Sequence, residues 1–505
     1  MTGRRRNAIF GVMFGYAAVL MSLARNVFFV PLYLHSIPLA EYGAWLATGG
    51  ALALMLINDF GLSGVVTQKI SASFGAEDCT KLGPLAGSAY VIGALMALAL
   101  SIISIGLVPL LPGLDTLSGQ QRHTVEQCFL FAIAANALGV IGATAISVIR
   151  SLQRAVWAGS ILLVSDLMNI AVLLALLFNG KGLYAIAVGV LLRSAVVALA
   201  GSVGMWLVCT RSLNVRLSVS WRTVRELIGS SSRFFLSSIA MKVQSQASVF
   251  FVNSLLGPTS AAMYSLTVRA HETVLMLLGQ INTALTPSVT HLFGSGNLAR
   301  FRAVLLRLLL ALGGITAFAM SLTIILNAGF LRLWVGEFAF AGQRVSIVMG
   351  IALFVSSVGY VAYDALLAQG KFQWVSRAFM LTSALNVLLL VLLLKRGLWW
   401  APTITLVTAG AWGGYFWRKV STGIGMSATE IRGLVSEFAR IVGFSALVIS
   451  GFLLFYPMPV SWTALVVEGL IGVGLLAGGY LLMSPLIRQI MREEIGITIR
   501  AWRPT

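Results

Sequence analysis

Nine charged side chains lie inside long apolar runs of this sequence: Arg25, Asp59, Asp166, Arg193, Lys242, Arg269, Glu272, Asp364 and Glu468. Facing hydrocarbon at the centre of a helix, each would cost about 2.5 to 3.5 kcal/mol. They are therefore expected to face a shared polar interior. By counted depth, Arg25, Asp166, Arg193, Lys242, Arg269 and Glu272 sit in the middle of a bilayer, and Asp59 and Asp364 lie nearer the inner ends of their helices. The central set is four cations against two acids, a mixture that can replace the water around an anion and exchange a proton or sodium ion. Lys242, Gln246 and Asn253 share one helical face, and Arg269, Glu272, Gln280 and Asn282 answer from the next span. Polar faces of this kind read as the wall of a water-filled cavity. The bland alternative is internal pairing, Arg269 with Glu272 and Arg193 with Asp166. Asp364 has Lys371 or Lys419 as candidate partners, Asp59 reads equally as a solvated cap or a switch, and Glu468 reads as a packing carboxylate.

No catalytic constellation accompanies these charges. His35, His123, His271 and His291 never fall at ligand spacing, and only His271 is deep. Cys79, Cys128 and Cys209 lie far apart without a metal or disulfide pattern, so they read as structural thiols. There is no Walker A motif, hence no expected ATP hydrolysis by this chain. The chain reads as a non-enzyme with no cofactor, leaving proton or sodium coupling, or gating, to Asp59, Asp166, Glu272 or Asp364.

The elements that must position these residues follow from composition. A chain of 505 residues that is 58% hydrophobic and only 10% charged cannot build a water-facing surface. At about 20 apolar residues per crossing, it divides into about fourteen helices. Helix is required because a lipid-exposed backbone must satisfy its own hydrogen bonds, and the runs do not alternate as barrel strands do. The net charge of +19 is spread between apolar runs, which points to anionic membrane lipids and not to nucleic acid. Of the 35 Lys and Arg, 25 fall on one side and 6 on the other, so both termini are expected in the cytoplasm. Arg4, Arg5 and Arg6 then precede an uncleaved first span.

The spans are duplicated. VFFV at 27–30 returns at 249–252, with Leu34, Ala40 and Tyr42 recurring as Leu256, Ala262 and Tyr264. Arg154, Trp157, Asn169 and Gly180 return as Lys371, Trp374, Asn386 and Gly397. Two parallel six-helix lobes are expected, 1–208 and 231–420, because both copies start on the same side. Between them, 209–230 is expected to lie on the inner surface, with Trp221, Val224, Leu227 and Ile228 on one face of a short amphipathic helix. Residues 421–486 supply helices 13 and 14, and 487–505 form a second amphipathic segment.

The turn P-L-Y-L-H-S-I-P-L-A-E-Y-G-A-W from Pro31, the D-F-G-L at Asp59 and the fourteen-helix, two-half plan resemble the polysaccharide-transport (Wzx-type) flippases of the multidrug/oligosaccharidyl-lipid/polysaccharide (MOP, MATE-like) exporters. The resemblance covers the whole chain. It implies a bacterial cytoplasmic-membrane protein with alternating access that moves an undecaprenyl-diphosphate-linked oligosaccharide outward for exopolysaccharide, O-antigen or capsule assembly. It also implies polymerase and assembly proteins as partners, cavity cations that hold the headgroup, and helices 13 and 14 as a groove for the lipid tail. Arg25 best matches a family position; Arg193, Lys242, Arg269 and Gln246 are candidates by depth and polarity. The rival readings are a MATE-like multidrug or cation antiporter and a lipid II flippase of the related branch.

Overall fold

The computed structural model describes residues 28–55, 62–75, 78–108, 117–294, 298–456, 458–484 and 488. Among these there is no strand. Residues 28–36 form α1; then follow α2 (Leu39–Met55), α3 (Leu62–Gly75), α4 (Cys79–Leu107), α5 (Gly119–Ser151), α6 (Ala155–Phe178), α7 (Leu183–Leu207) and α8 (Trp221–Leu256). The remainder are α9 (Pro258–Gly294), α10 (Leu298–Trp334), α11 (Gln343–Ala368), α12 (Phe372–Leu393), α13 (Trp400–Gly423), α14 (Ala428–Phe455) and α15 (Trp462–Met483). Each of the expected crossings contains a helix, the second being represented by α2 and α3. Among the described residues nine helices are long and apolar enough to cross a membrane, and the chain is a multi-pass membrane protein. α8 and α9, which carry the polar faces, are not among those nine.

Local sequence explains several boundaries. Ser118 caps α5 through a reciprocal box with Gln121, and Ser427 caps α14 in the same way with Glu430. Gly180 and Gly397 take φ of 70° and 147° just after α6 and α12, a backbone region that favours glycine.

The chain divides into two compact units, Met1–Ala262 and Met263–Thr505. In the first, α4 packs on α5, α5 on α7 and α6 on α7; in the second, α10 packs on α11, α11 on α13 and α12 on α13. These are the same partners under the repeat. Its paired residues are equivalent in detail: Arg154 and Lys371 precede α6 and α12, and Asn169 and Asn386 are both buried. The structure adds a pair that sequence comparison passed over. A Cβ on Gly142 would stand 2.8 Å from Val197 Cγ1 on α7, and one on Gly359 would stand 2.6 Å from the Trp412 ring on α13. Small residues at both places let the two helices approach closely, which is how membrane helices gain packing energy without a hydrophobic drive.

Two features differ from the sequence expectation. The division falls after Ala262, so α8, assigned by the repeat to the second half, packs with α2, α3 and α4 in the first unit. The segment 209–230 is also not one surface helix. A wide helical turn over Val208–Ser212 extends α7, residues 213–220 are non-helical, and Trp221 begins the same helix that continues to Leu256. Its apolar face is split, with Val224 and Leu227 in the core while Trp221 and Ile228 are exposed. The reason is visible on α4. Gly83 and Gly87 lie so close to the backbone of Arg216 and Ser218 that a Cβ there would be 2.2 and 2.3 Å from their carbonyl oxygens. Ser218 N donates to Gly83 O and Ser220 N to Ser88 Oγ, so the connector is tied down before α8 starts.

In the second unit α14 and α15 pack on α10. Ile324, Ile325, Ile441, Ile449, Phe452 and Leu476 form their shared apolar core.

Candidate functional site

The intramembrane charges fall into paired and unpaired groups. Asp166 on α6 and Arg193 on α7 meet: Arg193 Nε donates to Asp166 Oδ1 at 2.5 Å, with side-chain exposures of 36% and 15%. This is the internal pairing that sequence reading offered as the alternative to a binding role. α6 and α7 pack against each other through Gly189, where a Cβ would fall 2.5 Å from Asn169 Oδ1.

Lys242 and Gln246 are half-buried on one face of α8, with Asn253 fully buried further along. Lys242 has no ion pair among the described residues. On α9 Arg269 is half-buried and Glu272 is exposed. The guanidinium is near enough to act electrostatically on the Glu272 carboxylate, yet the two do not close to a salt bridge. A cation held in a membrane helix without a closed counter-ion is costly and is the usual mark of a binding or transport site.

Asp364 does not pair with Lys371 or Lys419. Its carboxylate lies among Tyr360 and Tyr363, within an aromatic group that includes Trp412 and Phe379. Lys419 instead places its ammonium 3.7 Å from the centre of the Trp374 ring. One turn of α13 separates Lys419 from Tyr415, which stacks on Trp374, so the aromatic face takes the lysine before the acid can. Glu468 is buried on α15 with Oε2 lacking a hydrogen bond. Arg25 and Asp59 lie outside the described residues, as do the side chains of Gln280 and Asn282. Among the described residues no group of His, Cys, Asp and Glu is gathered that could hold a metal ion.

Sequence reading missed a neutral cluster in the second unit. Asn327 Nδ2 on α10 donates to Thr267 O on α9 at 2.9 Å and to Ser346 Oγ on α11 at 3.1 Å. Ala341 N donates to Thr267 Oγ1 at 2.8 Å. His271, one turn after Thr267, is 0% exposed. Only the depth of His271 signalled this group; asparagine, serine and threonine in apolar helices carry no charge to draw notice.

The family model described as "Polysaccharide biosynthesis protein" matches residues 9–293, more than half the chain, and the MatE model matches 234–392. No curated protein sequence matches. Among solved structures, the lipid II flippase MurJ in an inward closed conformation is similar with a TM-score of 0.70 at 15% identity, over 96% of this chain and 100% of that one. An inward-facing multidrug resistance MATE family transporter of the MOP superfamily has a TM-score of 0.63 at 14% identity, over 79% and 94%. A MOP superfamily transporter from Pyrococcus furiosus has a TM-score of 0.61 at 13% identity, over 84% and 95%.

Proposed function

The chain belongs to the polysaccharide biosynthesis protein family and has the fold of the MOP transporters, and from that premise we propose that it is a flippase for an undecaprenyl-diphosphate-linked oligosaccharide. It moves the headgroup from the cytoplasmic to the outer leaflet by alternating access, in a bacterial cytoplasmic membrane with both termini inside. The product feeds assembly of an exopolysaccharide, O-antigen or capsule.

The observation that carries this reading is the contrast between the cations. Arg193 is neutralised by Asp166, whereas Lys242 on α8 and Arg269 on α9 have no closed ion pair among the described residues. A diphosphate cannot enter hydrocarbon unaided, and unpaired ammonium and guanidinium groups supply what its lost water did. Lys242 and Arg269 are the main headgroup contacts, with Gln246, Arg25 and the exposed side of Arg193 assisting. An inside-negative potential helps an anion outward by about 2.3 kcal/mol per charge per 100 mV. A cation antiporter would want the opposite balance, acids without opposing cations. The second reading is a lipid II flippase, favoured by the near-complete overlap with that fold, which extends through α14 and α15.

The test is headgroup protection in vesicles loaded with a diphosphate-linked glycan. Lys242→Ala and Arg269→Ala at equal expression should each slow exposure of the glycan about ten-fold or more, the loss of one charge-assisted contact. Parental rates in both variants would remove the cationic-site assignment; exposure of lipid II alone would favour the second reading.

A further inference from the structure

The neutral cluster on α9, α10 and α11 is built around groups left without a hydrogen bond among the described residues. Neither ring nitrogen of His271 has a hydrogen bond, and Asn327 Oδ1 has none. What lies against the ring is the backbone of Thr267 and Ser346, close by but out of hydrogen-bond geometry. No side chain of opposite charge is among the groups acting on it, whether Glu272 beside it on α9, Asp364 on α11, or Glu468 on α15, which packs on α10. The cations Arg269, Arg332 and Arg344 are not among the groups acting on it either. Arg300, Arg302 and Arg307 begin α10, and Arg307 is about 30 Å along the helix from Asn327.

We propose that His271 is a proton-operated latch on α9. Imidazole is the side chain that gains charge near neutral pH. As a neutral ring it can remain enclosed between α9, α10 and α11, held by the Asn327 and Ala341 hydrogen bonds to Thr267. When its free nitrogen takes one proton from bulk water it becomes a cation, and in this enclosure it faces the backbone of Thr267 and Ser346 with no carboxylate acting on it among the described residues. The protonated ring therefore favours an arrangement in which α9 has moved away from Asn327 and Ser346. Population follows differential stability: a proton that binds the released arrangement better shifts the balance toward it. α9 also carries Arg269, two residues before His271, so releasing the latch repositions a headgroup cation. Resting on the transport reading, this links translocation to proton uptake through a residue distinct from Asp59, Asp166, Glu272 and Asp364.

The decisive measurement needs no substrate. Amide hydrogen exchange over residues 264–273 of the full chain in nanodiscs, corrected for intrinsic rate, should be about ten-fold faster near pH 5.5 than near pH 7.5. In His271→Gln and in His271→Phe, each checked for a monodisperse profile, the two pH values should agree within about two-fold. Equal exchange at both pH values in the parental protein overturns the latch, as does an acid response that survives in either variant. A flat exchange profile with normal glycan translocation leaves the flippase reading intact and removes only the latch; an acid response without any translocation does the reverse.

Discussion

Asp166 and Arg193 form one ion pair across α6 and α7, with the carboxylate the more enclosed partner. Removing one member leaves the other uncompensated inside a membrane bundle, and removing both does not. Asp166→Ala should therefore lower the unfolding free energy by about 1–3 kcal/mol, below the range for a fully buried pair because the guanidinium is 36% exposed. Arg193→Ala added to Asp166→Ala should recover part of that loss. A thermal unfolding cycle of the four proteins checks it; purely additive losses would mean that the pair is not the coupling unit.

Gly142 and Gly359 do the same work in the two repeats. An added methyl meets Val197 in one case and the Trp412 ring in the other. Gly142→Ala and Gly359→Ala should each destabilise by about 1–3 kcal/mol through overpacking. Gly106→Ala, where a Cβ meets nothing within 4 Å, is the control that should not. Unfolding of the purified variants in one detergent compares them directly.

The connector depends on α4. Gly87→Val should displace residues 213–220, because its Cβ would meet the Ser218 carbonyl at 2.3 Å. The expected result is faster limited proteolysis near Arg216 and Arg222 than in the parental chain, since strapped backbone resists cleavage. An unchanged cleavage pattern would show that the glycine ridge does not hold the connector.

The start of α14 joins a cap to an ion pair. Ser427 Oγ accepts from Glu430 N at 3.3 Å, Glu430 Oε2 accepts from Ser427 N at 2.8 Å, and Arg302 on α10 pairs with the same carboxylate. Ser427→Ala should cost about 1 kcal/mol and be insensitive to salt. Glu430→Gln keeps the capping geometry but loses the charge, so its cost should shrink as ionic strength rises. Unfolding at low and high salt separates the two contributions.

Most of the architecture was legible in the chain itself. Hydropathy fixes where helices lie because lipid forces each span to satisfy its own backbone. The duplication was legible from Tyr42 and Tyr264, Asn169 and Asn386, and Gly180 and Gly397, since residues other than aliphatic ones recur there at matching places. Depth also singled out the charged residues, because their cost in lipid is a property of each residue by itself.

Partnership was not legible in the same way. Whether Arg193 meets Asp166, whether Lys419 takes Trp374 or Asp364, and whether residues 213–220 lie free or on α4 depend on how separate helices are rotated and how closely they approach. Periodicity places a side chain on one face of its own helix but does not say which neighbour that face meets. The cluster of Thr267, His271, Asn327 and Ser346 shows the limit most clearly: its members are up to 79 positions apart and mostly uncharged. The sequence alone therefore determined that this is a duplicated helical membrane protein with charges it must shelter. Only the packing of α9, α10 and α11, and of α6 with α7, decided which charges are already answered and which polar groups are enclosed without a partner.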